Sequence, residues 1–116
     1  MTVYFAEGSP TTELSDQQLR EGLQSCFRQL GLRSRVLALP PDFTRYNSRG
    51  GLLTCLVHQY YGDALVDVMP ALGTHVPMPD WQLEKMFPGL PKSLIRVHRW
   101  REDVITVGEV PAEAWQ

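Results

Sequence analysis

Two short apolar runs, each stopped by proline and each following a segment with helical spacing, restrict this chain more than any other feature. In "VLALPP", Val36 to Leu39 is apolar and begins with a β-branched residue, and Pro40 and Pro41 remove the backbone donors that a longer ladder needs. In "ALVDVMPAL" the second run halts at Pro70. Both read as buried strands that open directly into loops.

The segments around them carry helix signals. Ser15 followed by Gln18 forms a capping-box pair, Leu19, Leu23, Cys26, Phe27 and Leu30 recur at helical offsets, and Gly31 terminates the pattern. A second helix is predicted from Ser48–Gly51 to Gly62, with Leu52, Cys55, Leu56 and Tyr60 on its inner face. A third, "DWQLEKMF", offers Trp81, Leu83, Met86 and Phe87 and ends at "PGLP". "SLIRVHRW" and "VITVGEV" are two further strand candidates, and no clear terminating element follows in "GEVPAEAWQ".

Helix, strand, helix, strand, helix, strand is the order of an α/β domain: a layered, Rossmann-like sheet, at least partly parallel, with flanking helices. At 116 residues the expectation is a single domain spanning residues 1–116. A net charge of -2 argues against nucleic acid or an anionic membrane as the partner, and no apolar run is long enough to span a bilayer. "MTVYFAEGSP" contains no basic leader followed by an apolar stretch, so the expected location is cytoplasmic. Cys26 and Cys55 fall inside helical segments, where a thiol packs as a small core group rather than a disulfide partner.

In parallel sheets, ligands bind beyond the carboxyl ends of the strands. Two polar loops start there. "PPDFTRYNS" brings Asp42, Thr44 and Arg45 together, and a guanidinium suits a carboxylate or phosphate. The plainer reading is an Asx-type turn at Asp42 and Thr44, with Arg45 in a surface ion pair. "GTHVPM" presents His75 after a tight turn at Gly73, and histidine is the usual acid–base group near neutral pH. The two loops are expected to converge on one edge of the sheet.

Other features carry less. "SRGGL" matches no phosphate-binding fingerprint, although a helix start can hold an anion. Cys55 and His58 supply half of a zinc site at most. "IRVHRWR" reads as a strand with Ile95 and Val97 inward and Arg96 and His98 outward, its cations offset by Glu102 and Asp103, rather than as a nucleic-acid surface.

In these two loops taken together, the chain resembles the N-terminal domain of the nickel-dependent lactate racemase family. The resemblance rests on "PDFTR" at Pro41 to Arg45, "ALGTHVPM" at Ala71 to Met78, their separation, and the later "VH" and "VGEVP". It covers most of the chain from about Val36 onward. It implies a racemase or epimerase of small 2-hydroxy acids, in which a nickel-pincer nucleotide (nickel pyridinium-3,5-bisthiocarboxylic acid mononucleotide) takes a hydride from the hydroxyl-bearing carbon and returns it to either face. It further implies that His75 is catalytic, that Asp42, Phe43, Thr44 and Arg45 belong to the cofactor-binding surface, and that Arg45 also binds substrate. No residue here corresponds to the family's metal ligand.

Tyr46 stands where the family commonly has proline, Val76 where a basic residue often follows the histidine, and Pro79 where Ser or Thr commonly caps a helix. The family's second catalytic histidine, its cofactor-attaching lysine and its nickel-binding histidine lie in a downstream segment that this sequence does not contain. His58, His98, Lys85 and Lys92 do not sit in matching motifs. The expectation is therefore a partial domain, inactive as a racemase alone, whose crevice a second polypeptide segment would complete. Truncation should also leave an apolar face or sheet edge uncovered. A non-catalytic nucleotide- or carboxylate-binding α/β module, or an inactive remnant, is the alternative.

Overall fold

A computed structural model describes residues 2–115, so Met1 and Gln116, the ends of the expected domain, lie outside the described residues. Helix α1 spans Asp16–Leu30. Its start is set by the predicted capping box: Gln18 N–H donates to Ser15 Oγ at 3.2 Å, and Ser15 N–H donates to Gln18 Oε1 at 2.9 Å. Gly31, at φ 77°, ends it in a conformation that glycine alone adopts freely.

Strand β1, Val36–Ala38, is followed by a 3₁₀ helix at Phe43–Ser48, by α2 at Gly50–Tyr61 and by strand β2 at Leu65–Val68. The strands pair in parallel with a bulge between Val36 and Leu37, so α2 is the crossover of a βαβ unit. Helix α3, Asp80–Met86, starts at Pro79 without a side-chain cap, and a 3₁₀ turn at Lys92–Leu94 leads back to the sheet. There Ile95 forms a single parallel bridge to Val68, closed by Arg96 N–H donating to the Val68 carbonyl at 2.8 Å.

The core lies between the sheet and the α2–α3 layer. Leu65, Val68 and Phe87 are fully buried, each contributing about 1.5–3 kcal/mol, and Met86, Leu90 and Cys55 complete the cluster. Helix α1 joins through aromatic packing, with Phe27 5.0 Å from Tyr60 and 4.8 Å from Tyr61 between ring centroids. Cys55 is buried and Cys26 half-buried, and both thiols are unpaired. No helix among the described residues is long and apolar enough to cross a membrane.

Four expectations need correcting. β1 is not buried on both faces: Val36 and Ala38 pack on the core, whereas Leu37 and Leu39 are 52% and 61% exposed, because no element covers their side. Tyr60, expected inward, is 37% exposed and finds its apolar contact by stacking on Phe27, as the exposed Trp81 does edge-on to Phe43 at 5.2 Å. "SLIRVHRW" contributes one bridge residue rather than a strand, since the 3₁₀ turn consumes Lys92–Leu94 and the chain leaves the sheet after Arg96. "VITVGEV" forms no strand: it has no ladder partner among the described residues, and its side chains face solvent. The chain is thus of mixed helix and strand built on a small parallel sheet, with a final 3₁₀ turn at Ala112–Trp115 where no terminating element was expected.

Candidate functional site

The parallel ladder does not stop where the strands do. Met69 N–H donates to the Ala38 carbonyl at 2.9 Å, Ala71 N–H to the Pro40 carbonyl at 2.8 Å, and Pro41 and Ala71 form an isolated bridge. Prolines accept but cannot donate, so "PP" limits the ladder to the bonds in which its carbonyls take part. The two loops therefore leave the carboxyl end of the sheet side by side.

Asp42 follows Pro41 directly and caps the 3₁₀ helix: its Oδ1 accepts from Thr44 N–H at 3.1 Å and from Thr44 Oγ1 at 2.5 Å. Across the gap, Gly73 at φ 56° turns the second loop, and His75 N–H donates to the Leu72 carbonyl at 3.0 Å. The turn delivers the imidazole to the free oxygen of the carboxylate, with His75 Nδ1 2.6 Å from Asp42 Oδ2.

Asp42 is only 5% exposed, whereas the His75 side chain is 54% exposed. Burial by itself pushes the Asp42 carboxyl up. The Thr44 hydroxyl, the His75 ring and the Thr44 amide, all hydrogen-bonded to the carboxylate, outweigh it, and the carboxyl lies below its ordinary value. A buried carboxylate that stays ionised and fixes Nδ1 of an accessible imidazole leaves Nε2 free for a proton on a ligand. Asp42, Thr44 and His75 are thus brought together, and the Asx-type turn and the inter-loop pair exist at once.

The remaining expected site residues lie elsewhere. Phe43 packs at the edge of the core, 5.4 Å from Tyr46 between ring centroids. Arg45 sits at a kink in the 3₁₀ helix, exposed, and its side chain makes no hydrogen bond or ion pair among the described residues. In "SRGGL", Arg49 adopts the left-handed region and pairs with Asp16. The glycines serve close packing: a Cβ on Gly50 would meet the Pro41 ring, and one on Gly51 would collide with the Met86 carbonyl. Cys55 Sγ faces the Pro88 carbonyl at 3.7 Å, and burial pushes its thiol up. Among the described residues no group of three His, Cys, Asp or Glu is placed to hold a metal ion.

His75 also lines a cleft that sequence reasoning missed. Its other wall is the turn after Ile95, including His98, Arg99, Trp100 and Arg101. The expected alternation fails here: Val97 points outward and His98 is half-buried, its Nδ1 buried without a hydrogen-bond partner. Arg99 is held by Asp103 through bonds of 2.9 and 3.1 Å, and Arg101 lies over the Trp100 ring at 4.3 Å. The readable signal was Arg99 with acids three and four residues on, the mark of a closed turn rather than a strand.

No protein-family model, curated protein or solved structure matches the chain.

Proposed function

We propose that this chain is the acid–base and anion-binding part of a 2-hydroxy-acid racemase or epimerase of the nickel-pincer lactate racemase type. The observation that carries the reading is the 2.6 Å bond between Asp42 and His75, which joins the two motif loops at one end of a parallel sheet. Asp42 holds Nδ1, Nε2 accepts the proton of the substrate hydroxyl, and the buried carboxylate stabilises the imidazolium that forms. The same proton returns when the alcohol is regenerated. A positioned base of this kind contributes about 10²–10⁴-fold to rate.

Arg45, an exposed guanidinium on the Asp42 loop, suits the negative charge of a carboxylate or a nucleotide phosphate. A nickel-pincer nucleotide, when bound, supplies the hydride-accepting centre. The residues fit only its anionic part: Phe43 is committed to the core edge, and nickel finds no ligand set among the described residues.

The βαβ unit and the Ile95 bridge support reading the sheet as the start of a layered, Rossmann-like one. The bare side of β1 favours a second polypeptide segment completing it. Two unpaired thiols suit the reducing cytoplasm.

The test combines the purified chain with a second polypeptide segment that completes its crevice, nickel-pincer nucleotide and L-lactate, followed by chiral chromatography and thermal melting. D-lactate should form, and His75→Asn should slow it about 10²–10⁴-fold without changing the melting temperature. Undiminished turnover in His75→Asn removes the assigned role. A nucleotide that raises the melting temperature without turnover replaces the enzyme by a non-catalytic binding module, and one that does neither defeats both readings.

A further inference from the structure

The cleft between the His75 loop and the turn after Ile95 has a volume of about 180 Å³. Nucleotide- and drug-sized ligands occupy pockets of about 300–1,000 Å³, so this one suits a molecule of a few heavy atoms. Its polar equipment is not internally satisfied. Arg99 is spent on Asp103, but Arg101 has no carboxylate partner among the described residues and is held only by the face of Trp100. His98 Nδ1 is cut off from water and bonds to nothing in the protein. With no accessible surface, that nitrogen is closed to a ligand in the cleft as well as to water. Around one small cleft stand a cation without an anion and the imidazole that Asp42 orients.

A carboxylate with an adjacent hydroxyl meets both. We infer that this cleft is the substrate site, with Arg101 binding the carboxylate and His75 facing the hydroxyl. The assignment rests on His75 being the acid–base residue. It moves substrate recognition away from Arg45, which does not line the cleft and is left to an anionic group outside it. Trp100 fixes the Arg101 guanidinium in advance, so less conformational freedom is lost when the carboxylate arrives.

Titration of the full chain with L-lactate, followed by long-range ¹H–¹⁵N spectra of the histidine rings, tests this directly. Lactate should shift the His75 and His98 resonances along one saturation curve. Arg101→Gln should weaken binding about tenfold or more, with Arg101→Lys intermediate, while Arg33→Gln, exposed and remote from the cleft, stays within about twofold of wild type. Since Arg101 is exposed, an unchanged melting temperature shows that the variants are folded. Wild-type affinity in Arg101→Gln, a large loss in Arg33→Gln, or sulfate giving the same shifts at the same affinity would overturn the assignment. Failure here is separable from failure of the racemase reading: lactate can saturate the cleft without turnover, and turnover can persist in Arg101→Gln.

Discussion

At Asp42, burial and hydrogen bonding pull in opposite directions, and bonding wins. The carboxyl lies below its ordinary value of 3.8, so it binds protons less readily folded than unfolded. Its stabilising contribution is therefore complete above that ordinary value and is lost as pH falls through the lower, folded one. Asp42→Asn should cost about 1–2 kcal/mol at pH 7, measured by urea unfolding, and the gap to wild type should close as pH drops below about 3.8. A gap that persists unchanged at pH 3 would show that the carboxylate's charge plays no part. The local half of this arrangement was legible in "PDFTR", because Asp and Thr two apart favour an Asx turn. Its pairing with His75 depends on two parallel strands ending level, which strand order allowed to be expected. His98 was not legible: its inward placement follows from the chain leaving the sheet after a single bridge, which alternation along "IRVHRWR" cannot reveal.

At the scale of elements, close approach rather than propensity sets the geometry around α2. Gly51 faces the backbone carbonyl of Met86, which a rotamer change cannot move, so Gly51→Ala must push α2 off α3. Gly22 in α1 faces only the ring of Phe5, the tip of a side chain in the exposed N-terminal segment. Gly51→Ala should cost about 3 kcal/mol, or roughly 10 °C in melting temperature, whereas Gly22→Ala should be near neutral because helix propensity offsets the displaced ring. Equal effects in thermal melts would contradict this packing. The three helices were readable from capping and apolar spacing, down to the reciprocal bonds of Ser15 and Gln18. Strands beyond β2 were not, because an apolar run such as "VITVGEV" is a strand only where a partner edge exists, and among the described residues none reaches it.

Over the whole molecule, one side of the sheet is packed and the other is bare. Leu37 and Leu39 project from β1 on the open side, and Val107 in the last segment is fully exposed. An apolar surface of this kind should bind 1-anilinonaphthalene-8-sulfonate, and Leu37→Lys with Leu39→Lys should reduce the dye signal while shifting stability by no more than about 0.5 kcal/mol. Dye binding indifferent to both changes would place the sticky surface elsewhere. The sheet, its loops and the exposed face all lead back to one pair of groups at the strand ends. The most direct measurement is therefore the tautomer of neutral His75, read from its ring ¹⁵N shifts in the wild type and in Asp42→Asn. Asp42 acting on His75 as one acid–base unit predicts the Nδ1–H form in the wild type, with that preference lost in the variant. An Nε2–H tautomer dominating in both would contradict it.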